Sequence, residues 1–215
     1  MRMSSKRLVA PPQVSSGLIY WLSKALLYTC NKVWLRLAVE GAHHVPRTGP
    51  VLIVANHASY LDPPVLGCAT RRVVQFLAQS GLAKRGLLRW WLQKVGVVLI
   101  DRKAPSKDAL RFLSEALAQG GCVGLFAEGT RSLDGSVGAF RSGIDFLVRR
   151  TGATVIPAGI EGSFRSFPRG AKWPRPAKCT VRLGTPRSAA EVLAPGGVEA
   201  LRQEVARLAN AKLGN

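Results

Sequence analysis

The residues best suited to chemistry lie in one short run, Asn56-His57-Ala58-Ser59-Tyr60-Leu61-Asp62. His57 is one of three histidines, and Asp62 is the only acid between Glu40 and Asp101. If the intervening loop turns back, the Asp62 carboxylate accepts the Nδ1 proton of His57. Nε2 is then free to take a proton from a hydroxyl. The sequence offers no evident protein nucleophile for that base, so a substrate hydroxyl is the expected proton donor. A plainer reading stands beside this one. Asp62 precedes Pro63-Pro64, a favoured helix N-cap with Pro63 at the first helical position, and His57 can be an inert strand-end histidine. One carboxylate can also do both jobs.

A second run reads Phe126-Ala127-Glu128-Gly129-Thr130-Arg131-Ser132. Gly129 permits a tight turn, and Thr130 and Ser132 bring hydroxyls. Arg131 brings a planar fork suited to phosphate or carboxylate. The plain alternative is a structural Glu128–Arg131 pair beside a turn. Asp101-Arg102 is a third polar pair following an apolar run.

The elements that must position these residues can be read from periodicity. Residues 35–40 alternate apolar and polar. Residues 51–55 and 122–127 are continuous apolar runs, as expected of buried strands. Further strands are expected at 72–78, 95–100, 153–160 and 178–184. Helices are expected from about residue 62, at 82–94, from Ser106 to the glycine pair Gly120-Gly121, at 140–150 and at 198–212. Strands alternating with helices give an α/β fold with a mixed, largely parallel central sheet flanked by helices. All three polar runs then fall at strand ends, where open α/β sheets bind ligands.

The chain of 215 residues suits one domain with a sizeable core. It carries 31 Lys and Arg against 12 Asp and Glu, a net +19. The charge is spread along the sequence, so an appended basic arm does not account for it. An anionic partner is the default for such a domain. The four cysteines are far apart, which excludes a CxxC metal or redox motif and suits reduced, mostly buried thiols. Residues 14–32 predict an amphipathic helix that lies on a bilayer or docks on the core. Its polar stripe is Tyr20, Lys24, Tyr28 and Asn31; Leu18, Leu22, Ala25, Leu26 and Val33 fill much of the rest. Lys24 interrupts the apolar stretch, which excludes a spanning helix. The Trp and basic content favours the bilayer. Residues 163–178 form a surface excursion with Arg165, Arg169, Lys172, Arg175 and Lys178, no acid, and Phe164, Phe167 and Trp173. That mixture suits a lipid headgroup layer or single-stranded nucleic acid, beside the simpler reading of a solvated loop. Residues 63–100, basic and with Trp90-Trp91, read as a second membrane-facing flank.

The order NHxSxxD, then FxEGTRS, resembles the glycerolipid acyltransferase family, best known for the 1-acylglycerol-3-phosphate O-acyltransferases. The first block matches at Asn56, His57, Ser59 and Asp62. The third matches at Phe126, Glu128, Gly129, Thr130, Arg131 and Ser132. The run Gly96 to Arg102 is similar to the family's second block, and residues 155–160 around Pro157 to its fourth. Phe140-Arg141-Ser142-Gly143 fits its Phe-x-x-Gly. The resemblance covers residues 33–186. It implies acyl transfer from acyl-CoA or acyl carrier protein to the glycerol hydroxyl of a lysophospholipid, most simply 1-acylglycerol-3-phosphate. His57 acts as general base and Asp62 orients it. Arg131 and Arg102 hold the phosphate, and Gly129 and Thr130 shape that pocket. Asn56, Ser59 and Ser132 belong to the substrate site. Glu128 orients an arginine or contacts the acceptor, and Pro157 walls the acyl-donor site. The oxyanion is expected to meet backbone amides near the first block.

No metal or tightly bound cofactor is called for, and no nucleic acid partner. The implied location is the cytoplasmic face of the cell membrane, peripheral or monotopic. Residues 1–33 would form a basic segment with its amphipathic helix, and residues 34–215 the acyltransferase domain. One departure stands out. Members often carry a Lys near the second block where this chain has Gln79, which leaves Lys84 or another base to compensate, or points to a different lyso-lipid or amino-acid lipid acceptor. The rival readings are a non-catalytic basic membrane-binding domain, which has no need of both His57 and Asp62, and a nucleic-acid binder, which lacks any recognition motif.

Overall fold

The computed structural model describes residues 17–79, 81, 86–100, 106–141 and 143–214. In chain order the elements are α1 (Leu18–Trp34), β1 (Ala38–Glu40), β2 (Val51–Ala55), α2 (Asp62–Cys68), β3 (Val74–Gln79), α3 (Leu87–Lys94), β4 (Val97–Ile100), α4 (Ser106–Ala118), β5 (Cys122–Phe126), α5 (Gly143–Thr151), β6 (Thr154–Glu161), α6 (Ser163–Ser166), β7 (Thr180–Leu183), α7 (Ala189–Leu193) and α8 (Gly197–Ala209). The strands form one sheet in the order β1-β7-β6-β2-β5-β3-β4. Among the described strands the β6–β7 pairing alone is antiparallel, so β7 and β1 run against the other five. The expected mixed, largely parallel sheet flanked by helices is therefore what the chain builds.

The core is layered by the pleat of β2. Val51, Ile53 and Ala55 point to one face, with Val65 and Leu66 of α2 and Leu27 of α1. Leu52 and Val54 point to the other, against Leu113 and Leu117 of α4, Leu147 of α5, Val192 of α7 and Leu201 of α8. A strand buried on both faces needs an unbroken apolar sequence, which is why residues 51–55 are legible as one. Burial pushes the thiols of Cys122 and Cys179 up to about 12, so both stay protonated and unreactive.

Two features go beyond what periodicity gives. Residues 189–193 form α7, which periodicity misses. It starts with a capping box in which Ser188 Oγ accepts from the Glu191 amide and Glu191 accepts from the Ser188 amide. The N-terminal helix docks on the core by its polar stripe rather than by its apolar one. Three of the four polar-stripe residues face inward: Tyr20 and Asn31 are buried, and Lys24 Nζ donates to the carbonyls of Thr70 (2.6 Å) and Arg72 (3.0 Å) beyond the end of α2, while Tyr28 is exposed. Both carbonyls lie in the segment between α2 and β3, and one ammonium satisfies the two of them with charge-assisted hydrogen bonds. The apolar stripe faces outward, with Leu18 73%, Leu26 65% and Val33 76% exposed. The expected helix residues 14–16 lie outside the described residues, as do Lys84, Arg102 and Ser142.

Candidate active site

In the parallel register Ala55 of β2 sits opposite Phe126 of β5 on one side and Ala158 of β6 on the other. The two loops that follow, 56–61 and 127–141, therefore open at the same edge of the sheet. Sheet geometry alone brings the first and third sequence blocks together.

His57 Nδ1 lies 2.8 Å from Asp62 Oδ2. A carboxylate can only accept, so the proton sits on Nδ1 and Nε2 presents its lone pair. The ring stacks on Phe126 (centroids 4.2 Å apart, planes 21°), and Phe126 stacks in turn on Phe76 (6.0 Å, 13°). That column exists because residue 124 is glycine: a Cβ there would come within 2.2 Å of the Phe76 ring. The His57 side chain remains 19% exposed while Asp62 is fully buried. The base thus meets solvent on one side and a fixed carboxylate on the other.

Asp62 does not cap α2. It is that helix's first residue, after Leu61, and its Oδ2 accepts from the amides of Ala58 and Ser59 (2.7 Å each) as well as from His57. The carboxylate folds the loop back on itself and so fixes the ring position. Its Oδ1 is buried with no hydrogen-bond partner.

Glu128 has a different task from either one the sequence suggested. Its Oε1 accepts from the His57 amide (2.8 Å) and its Oε2 from the Gly138 amide (3.0 Å). The Ser132 amide donates back to the His57 carbonyl at 2.7 Å. Both ends of the His57 backbone are thereby pinned to the 128–138 segment. Burial pushes the Glu128 carboxyl above the ordinary carboxylate range, and the two amide donors pull it back. The expected Glu128–Arg131 pair does not form. Arg131 instead lies flat over Tyr60, 3.5 Å from the ring centroid.

Asn56 and Ser59 are structural ties. Asn56 exchanges two hydrogen bonds with the Ile160 backbone (Nδ2 to O 3.0 Å, N to Oδ1 2.8 Å), extending the β2–β6 pairing by a side chain. Ser59 Oγ donates to Phe167 O at 2.8 Å. Ser132 Oγ is taken up in a turn with Asp134 and Gly135. Pro157 is buried inside β6, its ring beside Gly184. Gly129 has φ +68°, and a Cβ there would lie 2.8 Å from Arg141 Nε, so the glycine lets that guanidinium rest on the turn. Thr130 beside it is exposed.

Within the first block the backbone amides are already engaged. The amides of His57, Ala58, Ser59, Tyr60 and Leu61 donate to Glu128, Asp62, Asp62, Phe167 O and Ser59 Oγ respectively. Sequence reasoning also missed two supports. Gly138 supplies only a backbone amide, which leaves no pattern. Arg202 of α8 donates to the carbonyls of Val137 (3.2 Å), Gly138 (3.0 Å) and Gly214. The Val137–Gly138 peptide so held is the one whose N–H reaches Glu128. Beside the loop lies a cavity of about 710 Å³ bordered by Asn56, Ala58, Ser136, Phe164, Arg165 and Lys212 among others. No cluster of metal-binding side chains occurs among the described residues.

A family model described as Acyltransferase matches residues 36–161, more than half of the chain. The chain is similar to the 1-acyl-sn-glycerol-3-phosphate acyltransferase alpha of Mus musculus, 33% identical over 194 residues, which are 84% of this chain and 64% of that protein. It is also similar to a chloroplastic 1-acyl-sn-glycerol-3-phosphate acyltransferase of Arabidopsis thaliana, 31% identical over 140 residues, 64% of this chain and 39% of the relative. The chain thus spans between about two-fifths and two-thirds of these relatives' lengths. Among solved structures, the 1-acyl-sn-glycerophosphate acyltransferase PlsC of Thermotoga maritima superposes with a TM-score of 0.73 at 26% identity, covering 90% of this chain and 81% of that one.

Proposed function

The chain belongs to the acyltransferase family, and from that membership we propose that it moves a fatty acyl group from a thioester to the free hydroxyl of 1-acylglycerol-3-phosphate, giving phosphatidate. The observation that carries the reading is the 2.8 Å contact between His57 Nδ1 and Asp62 Oδ2, with Nε2 left open at the sheet edge. The acyl donor is acyl-CoA or acyl carrier protein. His57 Nε2 takes the hydroxyl proton as the oxygen attacks the thioester carbonyl. The tetrahedral intermediate collapses, the carbon–sulfur bond breaks, and the protonated His57 returns the proton to the leaving thiolate. Asp62 holds the ring and stabilises its positive charge at the midpoint. Donors for the oxyanion come from outside residues 57–61, whose amides are all engaged. Arg131, with Arg102 from the second block, binds the acceptor phosphate; Gly129 and Thr130 shape that pocket.

Residues 34–215 form the catalytic unit and residues 1–33 the membrane-facing segment. No described helix is long and apolar enough to cross a membrane. The outward apolar stripe of α1 supports a peripheral or monotopic seat on an anionic leaflet, on its cytoplasmic face. Trp91 Nε1 of α3 donates to Ser23 Oγ of α1 (3.0 Å), so the exposed Leu87, Leu88 and Trp90 of α3 travel with α1.

A second reading keeps the chemistry and changes the acceptor. Gln79, at the end of β3 where relatives often place a Lys, favours a different lyso-lipid or an amino-acid lipid. The test is mass spectrometry of lipid product after incubating wild type and His57→Ala with acyl-CoA or acyl carrier protein and mixed lyso-lipids. Phosphatidate from wild type alone is the expected result. Another product would assign the acceptor anew, and equal product from both proteins would remove His57 as the base.

A further inference from the structure

We infer that the segment following α6, residues 167–178, is a second membrane anchor, a rigid tongue that seats Trp173 in the interface of an anionic bilayer and fixes the height of the His57 loop above it. This goes beyond the α1 contact and shares with it only the identity of the partner.

Trp173 is the most exposed large hydrophobic residue described, at 80%. A tryptophan so placed in water is anomalous for a soluble surface. It is the ordinary state of an interfacial anchor, where the ring enters the headgroup layer and the indole N–H stays wet. Around it Arg169, Lys172, Arg175 and Lys178 are all exposed, and the segment holds no acid. Basic side chains alternating with an apolar one match a surface that is anionic outside and apolar just beneath.

The tongue is held in shape before it meets anything. Ser166 Oγ donates to Arg175 O (2.6 Å) and the Arg175 amide returns to Ser166 O (2.9 Å), closing its base. The Ala171 amide donates to Pro168 O at 3.2 Å. Pro174 and Pro176 restrict the returning arm. A pre-shaped loop loses little freedom on docking. Its root is tied to the site: Ser59 Oγ and the Tyr60 amide both donate to Phe167 O, Pro168 bridges to Ser59, and the Tyr60 and Phe167 rings lie 5.1 Å apart. Arg131 lies on the same Tyr60. Whatever fixes Trp173 in depth also fixes the base and the phosphate-directed arginine relative to the lipid plane.

The test uses the full chain with Trp173→Cys in a Cys30→Ser background. Cys68, Cys122 and Cys179 are buried, so an environment-sensitive fluorophore attaches at the new thiol alone. Vesicles of phosphatidylcholine with one-third phosphatidylglycerol should shift the dye emission to the blue, and pure phosphatidylcholine should do so much less. Replacing Lys172 and Arg175 by Gln should weaken the anionic-vesicle response by about fivefold per residue. Protein that sediments with vesicles while the dye spectrum stays unchanged would overturn the tongue and leave α1 standing. Sedimentation and a dye shift that are both unchanged in Leu26→Ser would do the reverse, removing the outer face of α1 as a contact and leaving the tongue standing. A shift with an acidic acyl carrier protein and none with vesicles would assign the surface to that protein and overturn the membrane assignment.

Discussion

Around His57 the protein keeps polar groups inside; along α1 it keeps apolar groups outside. The two regions break the usual burial rule in opposite senses, and they differ in what holds them. In the first, each hydrogen bond is specific: one Asp62 oxygen takes three donors, Glu128 takes two, and Asn56 exchanges two with Ile160. Its stability is a matter of geometry, so removal of one atom leaves buried partners unsatisfied. In the second, the docked face is secured by Lys24 while the outer face of Leu18, Leu22, Leu26 and Val33 is left largely exposed. Its contribution is a matter of area, so losses there should be graded.

Asp62→Ala should show the largest effect. It strips the acceptor from His57 Nδ1 and from two amides, and about 2–5 kcal/mol of stability should go with it. Acyl transfer should fall by about 10²–10⁴-fold, as for loss of a general base. Urea melts and product assays on the same preparation read both; normal activity would show that the loop holds its shape without the carboxylate.

Glu128→Gln comes next, and its pH dependence sharpens the contrast. Burial raises the Glu128 pKa in the folded state above its unfolded value. The folded form therefore binds the proton more readily, and stability declines as pH rises from below the unfolded value through the raised folded one. Activity should move the other way, since only the ionised carboxylate accepts from both amides. The expected outcome is an acid-side loss of activity beginning above the ordinary carboxylate range while the fold holds. Glu128→Gln should flatten that stability slope and cost roughly 1–3 kcal/mol for the mismatched amide. Denaturant titrations across the acid range would show it; a slope unchanged by the substitution would assign the pH response to another group.

Lys24→Met tests the docked side of α1. Two carbonyls lose a charged donor, and a cost of about 1–3 kcal/mol is expected, with α1 loosened rather than the sheet melted. Hydrogen exchange resolves the two, because a local opening exposes α1 amides alone. Leu26→Ser should be the mildest, within about 0.5 kcal/mol in water. Its signature should be a weaker partition onto anionic vesicles, so a large melting shift would mean that the outer face of α1 is covered by protein in solution.

The sheet is largely legible in the sequence because parallel strands buried on both faces must be uninterrupted apolar runs, and 51–55 and 122–126 are such runs. The two faces of α1 are legible as well, but their direction is not. Periodicity separates polar from apolar residues without saying which side is the protein's interior, and that depended on the carbonyls of Thr70 and Arg72, more than forty residues away. The site divides along the same line. His57 and Asp62 lie five apart and meet as local geometry predicts. Asn56 and Ser59 take their roles from Ile160 and Phe167, and Glu128 takes half of its role from a glycine amide, so residue type misleads there. Arg202 is one arginine among many on basic helices. The helix α7 is the one omission that had a signal, since Ser188 and Glu191 already stand at capping-box spacing.

The engaged amides of residues 57–61 set a rule for ligand design. Many hydrolase and transferase inhibitors gain affinity by offering an anionic oxygen to free backbone donors beside the base, and here that loop has none to give. A small molecule aimed at this edge of the sheet has different handholds: a donor for the open nitrogen of His57, a flat face for the Phe126 column and an anion for Arg131. Compounds selected for an open amide nest should bind poorly, which gives a screen against this chain an unusual but readable selectivity from the outset.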